Sequence, residues 1–228
     1  MLFKGISAEG IYLLAENRFN DSKEFYDEHK PQINELVIKP LRALLDDLFD
    51  TMAEINPDFI LNPARCISRV RRDTRYTKDK SLYRENLWVM FRHQKNDLPT
   101  PCFWFEFFPD GYTFGCGIVS ASPAFMAHWR AAIKDNPARI EAAVQTALDA
   151  GFSLDTDCYK RSKAESDGIA GLAGRLYDLK APFMSLHTKG IANLNKPKKL
   201  ESQLISGYKA LTPFYDYCLN LTENYNCE

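Results

Sequence analysis

Residues 102–119 constrain the fold of this chain more than any other segment. Two runs rich in aromatic and β-branched residues, 102–108 and 112–119, are short enough to be strands. Between them, Pro109-Asp110-Gly111 has the composition of a tight turn, and Gly111 is free to adopt a positive φ. The segment therefore predicts an antiparallel hairpin.

Further strands are predicted at 66–70 and 87–91, and no helical pattern separates the strands as parallel crossovers would require. Alternation along 102–108 gives the hairpin two different faces. One face carries only phenylalanine, and the other places Glu106 between Trp104 and Phe108. The sequence therefore predicts a buried or half-buried carboxylate at Glu106.

Helical patterns surround the predicted strands. Near the N-terminus Asp21 and Ser22 supply a helix cap, and the apolar positions of 33–55 recur with a helical period that Pro40 is expected to kink or divide.

Two more helices follow the strands. They begin at Ser122-Pro123 and Asn136-Pro137, and Gly151 ends the second one. Within 152–199 we predict short strands near 152–154 and near Tyr159 and an extended stretch at 182–184, in an otherwise irregular segment. The tail from Leu200 is predicted to be helical, with Pro213 beginning a second tail helix.

This order of elements predicts an α+β fold, with an antiparallel β-sheet core packed by N-terminal and C-terminal helices. The 228 residues suit a single domain over 1–228, helical in 1–60, with the sheet in 64–119 and a helical part with an irregular segment in 120–228. The hydrophobic fraction of 45% and the charged fraction of 26% are those of a soluble globular protein and exclude a disordered chain.

Composition also limits the cofactors and the location that we expect. The six cysteines are scattered without a CxxC pair, so no zinc module or redox dithiol is predicted, and the four histidines stand too far apart in sequence to indicate a metal site. The cofactor is left unknown. The N-terminus has no basic stretch followed by an apolar run, and the uncharged stretch 111–129 contains three glycines and Pro123. We therefore expect a cytoplasmic protein without a membrane partner; the oligomeric state is left open.

The formal net charge of −1 conceals a strong separation of charge along the chain. Residues 65–95 hold ten Lys or Arg against three acids, a local charge of +7, which leaves −8 for the remainder. Arginines dominate the part of this segment that reads RVRRDTRYTKDKSLY, residues 69–83. The planar guanidinium fork matches phosphate and carboxylate oxygens, so this segment is the candidate site.

The same string resembles a bacterial family of unknown function, domain-of-unknown-function family 2461, whose signature is RxxRDxRFxxxKxxY. The resemblance covers six of the seven fixed positions, and Tyr76 stands where the family has phenylalanine. The chain length and the order of helices and strand are also similar to those of the family. The resemblance identifies a site and implies no particular activity. The matching residues are Arg69, Arg72, Asp73, Arg75, Lys80 and Tyr83.

The residues themselves suggest how such a site would work. If 66–70 is a strand, Arg69 and Arg71 project from one face, and Arg72, Asp73 and Arg75 lie at its end and in the next loop. Asp73 would lie between two arginines, held ionised, and would fix their rotamers for an incoming anion. We expect the ligand-binding residues to be Arg69, Arg72, Asp73, Arg75, Lys80 and Tyr83, with Tyr83 lining the pocket.

Two functions stay open. The first is the binding of a small anionic or phosphorylated ligand, such as phosphate, a nucleotide or a carboxylate. If the protein is an enzyme, phosphoryl or nucleotidyl chemistry would suit the arginines, with Asp73 or Glu106 as catalytic candidates. The second is a non-catalytic interaction module that docks an acidic protein or nucleic acid. A third interpretation assigns Arg72, Asp73, Arg75 and Glu106 to a purely structural ion-pair network.

Overall fold

The computed structural model describes residues 2–94, 100–119 and 121–225. The helices are α1 (Ala8–Asn20), α2 (Lys23–Ile33), α3 (Lys39–Ile55), α4 (Pro63–Cys66), α5 (Pro123–Asp135), α6 (Pro137–Asp149), α7 (Lys163–Ser166), α8 (Gly171–Tyr177) and α9 (Pro197–Tyr225). The strands are β1 (Leu87–Phe91), β2 (Cys102–Phe108), β3 (Gly111–Gly117), β4 (Ser153–Leu154) and β5 (Phe183–Lys189).

The strands form one antiparallel sheet in the order β1-β2-β3-β5-β4. In the pairing of β4 with β5, Ser153 lies opposite Ser185 and Leu154 opposite Met184. The predicted α+β class with an antiparallel sheet is therefore confirmed.

Gly111 has a different role from the one predicted. Its φ is not positive, and it is the first residue of β3. A Cβ atom at this position would lie 2.3 Å from the backbone oxygen of Thr188. Glycine is required here because the two backbones approach closely, and not because the turn needs a left-handed residue.

The cap predicted between α1 and α2 is made by one residue instead of two. Ser22 caps α2 and accepts a hydrogen bond of 3.1 Å from the Phe25 amide. Asp21 instead ends α1 in the left-handed conformation, with φ of 46°. The prediction that Asp21 caps α2 is therefore wrong, and its carboxylate is available for another part of the chain.

The helical run changes type just before Pro40, which lies in the first turn of α3, and the run does not end there. A π-helical stretch, Asn34–Ile38, joins α2 to α3, and the Lys39 amide bonds the Asn34 carbonyl five residues back. Proline has no N–H with which to continue the helical hydrogen bonds. The wider π-helical turn before it accommodates this loss, and the chain continues into α3 as a helix.

The chain divides into two compact units, and the single domain over 1–228 stays a prediction. The first unit comprises Met1–Phe91, Trp104–Thr113 and His187–Ile205. In its core, α3 contacts β1. The side chains of this core are fully buried and almost all apolar: Ile11, Leu14, Val37, Leu41, Leu44, Leu48, Met52, Leu87, Phe91, Phe105, Phe107 and Tyr112.

The second unit comprises Arg92–Phe103, Phe114–Leu186 and Ser206–Glu228. Here Tyr208 of α9 packs edge-on against Phe103 and Phe114, with ring centroids 5.3 and 5.9 Å apart. Pro213 lies inside α9, so the predicted start of a second tail helix is wrong. Burial of Leu211 and Phe214 on either side offsets the cost of about 3 kcal/mol that an interior proline carries.

Most of the remaining boundaries agree with the sequence. Helices α5 and α6 begin at Pro123 and Pro137 as predicted, and Gly151 is left-handed with φ of 89°. The short strand predicted near 152–154 is confirmed as β4. The rest of 152–199 is more regular than predicted, because it contains α7, α8 and the seven-residue strand β5. Across the described ranges, no helix has the length and hydrophobicity needed to span a bilayer.

Candidate functional site

The arginine-rich segment leaves the first unit's core as an irregular antiparallel ribbon. Cys66 ends the short helix α4, so the strand predicted at 66–70 does not begin at Cys66, and the residues after it pair antiparallel only through isolated bridges. Asn62 caps α4 by accepting a 2.9 Å hydrogen bond from the Ala64 amide. Beyond it, isolated bridges pair Ile67 with Val89 and Arg71 with Tyr83. We call residues 69–81, which include the tip of this ribbon, the basic loop.

The return arm of the ribbon is held by Asp21 of the α1 end. Its Oδ1 atom accepts hydrogen bonds from the amides of Leu82, at 2.7 Å, and Tyr83, at 3.2 Å. The left-handed conformation of Asp21 presents the carboxylate to these amides. Asp21, which was predicted to cap α2, thus anchors the return arm of the ribbon at Leu82, 61 residues later in the sequence.

Asp79 collects the largest set of donors in the basic loop. Its Oδ2 atom pairs with Arg72 Nη1 and lies 3.4 Å from Arg18 Nη2. Its Oδ1 atom accepts from the Ser81 amide at 3.0 Å and the Ser81 hydroxyl at 2.7 Å. The Ser81 hydrogen bonds, followed by Arg72, lower the pKa of Asp79 to about 2. The carboxylate therefore stays ionised, and it occupies a set of guanidinium, amide and hydroxyl donors of the kind that also binds oxyanions.

Asp73 forms a separate pair with Arg75. Arg75 Nε and Nη2 donate to the two carboxylate oxygens at 3.0 and 2.7 Å, and the Arg75 amide donates at 3.2 Å. These hydrogen bonds lower the pKa of Asp73 to about 2. Asp73 was predicted to lie between two arginines, but Arg72 turns to Asp79 instead. This detail of the prediction is wrong because Asp79 has the Ser81 donors to hold it beside Arg72.

Lys80 and Tyr83 contribute to the fold of the ribbon. Lys80 Nζ donates to the Thr74 carbonyl at 2.8 Å, which closes the basic loop across its base. Tyr83 is 1% exposed and stacks on Tyr26, with centroids 4.8 Å apart. Tyr83 therefore packs in the core and does not line an open pocket, contrary to our expectation.

Glu106 on β2 is separate from both aspartate pairs. Its Oε1 atom accepts a hydrogen bond from Asn86 Nδ2, and burial raises the pKa of its carboxyl group. Arg84, whose guanidinium lies 4.5 Å from the ring centroid of Trp88, acts on Glu106 electrostatically. Arg72, Asp73, Arg75 and Glu106 thus belong to three separate hydrogen-bonded clusters and not to one network, although Arg84 interacts electrostatically with both Arg72 and Glu106.

Several cations of the basic loop have no carboxylate partner. Arg69, Arg71 and Lys78 are exposed, and none of them forms a salt bridge with any residue of 2–94, 100–119 or 121–225. The Nε atom of Arg72 is buried and has no hydrogen-bond partner within the same ranges. Lys95, the last cation of the predicted basic segment, lies outside the described residues.

Two aromatic rings at this site are almost fully exposed. Tyr76 is 88% exposed, and the Arg75 guanidinium lies 5.4 Å from its ring centroid. Phe19, on α1 next to Arg18, is 90% exposed. Beside it an open cleft of about 650 Å³ is lined by Ala15, Glu16, Arg18, Phe19 and Glu85.

Sequence reasoning missed the contribution of α1. Arg18, Phe19 and Asp21 reach the site through folding, and no local spacing relates them to residues 69–83. The sequence contained a weak indication of the role of Asp79. An aspartate side chain often accepts a hydrogen bond from the amide two residues later, as Asp79 does from Ser81 in an Asx turn. In the described part of the chain, no group of three or more His, Cys, Asp or Glu side chains is placed to hold a metal ion.

A family model described as conserved hypothetical protein, DUF2461, matches residues 10–217. No curated protein matches the chain. The matched range includes the whole basic loop, α1 from its third residue onwards, and all five strands.

Proposed function

The chain belongs to the family of conserved hypothetical proteins DUF2461, and from this premise we propose that it binds an anionic group, a phosphate or a carboxylate, on the basic loop. The observation that carries the proposal is the surplus of exposed charge. The loop holds six Lys or Arg and two aspartates, and each aspartate is already bound to an arginine.

The residues of the loop divide into two roles under this proposal. Arg69, Arg71 and Lys78 are free to contact the anion directly, because no carboxylate of the described residues engages them. Arg72 and Arg75 are held in fixed rotamers by Asp79 and Asp73 and present their remaining N–H groups. Lys80 and Tyr83 maintain the ribbon on which these groups stand.

Of the two catalytic candidates, Glu106 is better suited to proton transfer. Burial raises its pKa, whereas the pKa of Asp73 is about 2 and Asp73 carries no proton near neutral pH. Catalysis itself stays open, and so does the cytoplasmic location predicted from the cysteines.

The shape of the loop favours an extended partner over an enclosed small molecule. Residues 75–80 are all exposed, and the cleft near the loop is lined by Arg18 and Glu85 and by none of the loop's own arginines. This exposure supports the second function predicted from the sequence, an interaction module that docks a polyanion.

The free cations provide the cleanest test. The double variant Arg69→Gln with Arg71→Gln removes two of them and leaves both aspartate pairs in place. We expect its affinity for inorganic tripolyphosphate, measured by titration calorimetry at 50 mM salt, to fall by about tenfold or more while the melting temperature is unchanged.

The matched control is Lys160→Gln with Arg161→Gln, which removes the same charge at another exposed position. Equal losses of affinity in the two double variants, or no binding by the unmodified protein, would contradict an anion site on the basic loop.

A further inference from the structure

We propose that the basic loop and the end of α1 form a binding surface for single-stranded nucleic acid, on which Phe19 and Tyr76 stack against bases and the loop cations contact phosphates. The inference rests on the proposed anion binding and names its ligand.

Phe19 and Tyr76 are the two most exposed large hydrophobic side chains in the described part of the chain. Their exposures of 90% and 88% exceed the 76% of Leu2, the next in rank. A scattered exposed ring is ordinary on a protein surface. Two nearly bare rings beside the most basic segment of an otherwise acidic chain are a more specific arrangement.

Asp79 connects both rings to one site. Arg18, the neighbour of Phe19, reaches Asp79 Oδ2 at 3.4 Å, and Tyr76 precedes Asp79 by three residues in the same loop. The Thr77 hydroxyl, adjacent to Tyr76, donates to the Asp79 carbonyl at 2.5 Å. The backbone that carries Tyr76 is thus tied to the residue that Arg18 contacts.

The charges around the rings complement a nucleic-acid backbone. The basic loop has a net charge of +4, and three of its cations are free of carboxylates in the described ranges. Proteins that bind single strands combine a cationic track for phosphates with aromatic side chains on which successive bases stack. The basic loop supplies both components.

The cleft beside Phe19 favours a base over a phosphate. Its volume of about 650 Å³ accommodates a nucleobase, and two of its five lining residues are Glu16 and Glu85. Their carboxylates repel phosphate groups and accept hydrogen bonds from the amino and imino groups of bases. A strand would therefore place a base here and its backbone along the free cations.

Stacking on exposed rings also selects the single strand. Bases in a duplex already stack on one another, whereas unpaired bases can be splayed onto protein rings. Duplex DNA would therefore contact only the cations.

The test compares three labelled ligands by fluorescence anisotropy at 50 mM salt: a mixed-sequence 12-nucleotide strand, a 12-residue abasic strand of the same phosphate count, and the 12-base-pair duplex, which has twice as many phosphates. We expect the 12-nucleotide strand to bind at least tenfold more tightly than either of the others. Phe19→Ala and Tyr76→Ala should each weaken its binding by about 5- to 100-fold and leave the abasic strand unaffected, whereas Tyr76→Phe keeps the affinity.

Phe49→Ala on α3 is the matched control, because Phe49 is also an exposed ring and lies outside the loop and α1. Equal affinity for the abasic strand or the duplex would overturn the stacking surface while the anion site stands. No binding of any strand, with tripolyphosphate still bound, would also overturn it. No binding of any of these anions would overturn both proposals.

Discussion

Asp79 shows how a single residue keeps a loop crowded with cations in a defined shape. It receives two guanidinium groups, one amide and one hydroxyl, while the neighbouring Asp73 binds Arg75 alone. The repulsion among the arginines is offset locally, and the exposed cations project from a fixed backbone. Asp79 is therefore the residue on which the geometry of the basic loop depends most.

The low pKa of Asp79 predicts a pH-dependent contribution to stability. Its folded-state pKa of about 2 lies below the ordinary value of 3.8, so its stabilisation is largely present above pH 4 and is lost as the pH falls through about 2. We expect Asp79→Asn to melt below the unmodified protein at pH 6 and by a much smaller margin near pH 2. Asp135→Asn is the control. A melting difference of undiminished size at pH 2 would contradict this assignment.

Glu106 predicts the opposite dependence. Burial raises its pKa above the ordinary value of 4.5, so ionisation disfavours the folded state and stability falls as the pH rises through that range. Glu106→Gln keeps an acceptor for Asn86 and removes the buried charge. Its melting temperature should exceed that of the unmodified protein at pH 7 and approach it near pH 4. Glu85→Gln, at an exposed position, should show no such trend.

Among the secondary-structure elements, the sequence predicted correctly the helix starts that depend on a capping residue next to them in the chain. Helices α5 and α6 carry their own caps, in Ser122 and Asn136, and their predicted starts are confirmed. The basic loop depends instead on contacts between α1 and residues 61 positions later, such as Arg18 with Asp79 and Asp21 with Leu82. No spacing rule encodes such pairs, so the predicted family is confirmed while the predicted partners of Arg72 and Asp73 are wrong.

Helix α9 provides a prediction about close packing. Alanine normally favours a helix interior over glycine by about 1 kcal/mol, yet a Cβ atom on Gly207 would lie 2.4 Å from the ring of Phe114. We expect Gly207→Ala to lower the free energy of unfolding by roughly 1 to 3 kcal/mol in urea denaturation. The same change in a Phe114→Leu background should cost less. Equal costs in the two backgrounds would show that the ring is not the obstacle.

Over the whole molecule, the small net charge results from the cancellation of a basic segment by an acidic remainder. The net charge of −1 combines a +7 segment with −8 over the remaining chain, and the isoelectric point is about 6.4. Long-range steering of an anion depends on this local field and not on the total. We therefore expect polyanions to be steered towards the basic segment 65–95.

This distribution predicts retention on a sulfonated cation-exchange matrix at pH 7.5 and low salt, despite the negative net charge. Arg69→Gln with Arg71→Gln should elute at clearly lower salt than Lys160→Gln with Arg161→Gln, although both variants have the same net charge. Identical elution of the two would show that the basic loop does not act as a patch.

The contact between Asp79 and Arg72 has a consequence for any ligand of that arginine. A carboxylate attached seven residues away is a competitor whose effective concentration is in the millimolar range or above, as for groups joined by short linkers. A dilute monovalent anion cannot displace it, whereas a polyvalent one gains from its other contacts before it reaches Arg72. We therefore expect an isolated anion to bind only at Arg69, Arg71 and Lys78, and a polyvalent anion to reach Arg72 as well.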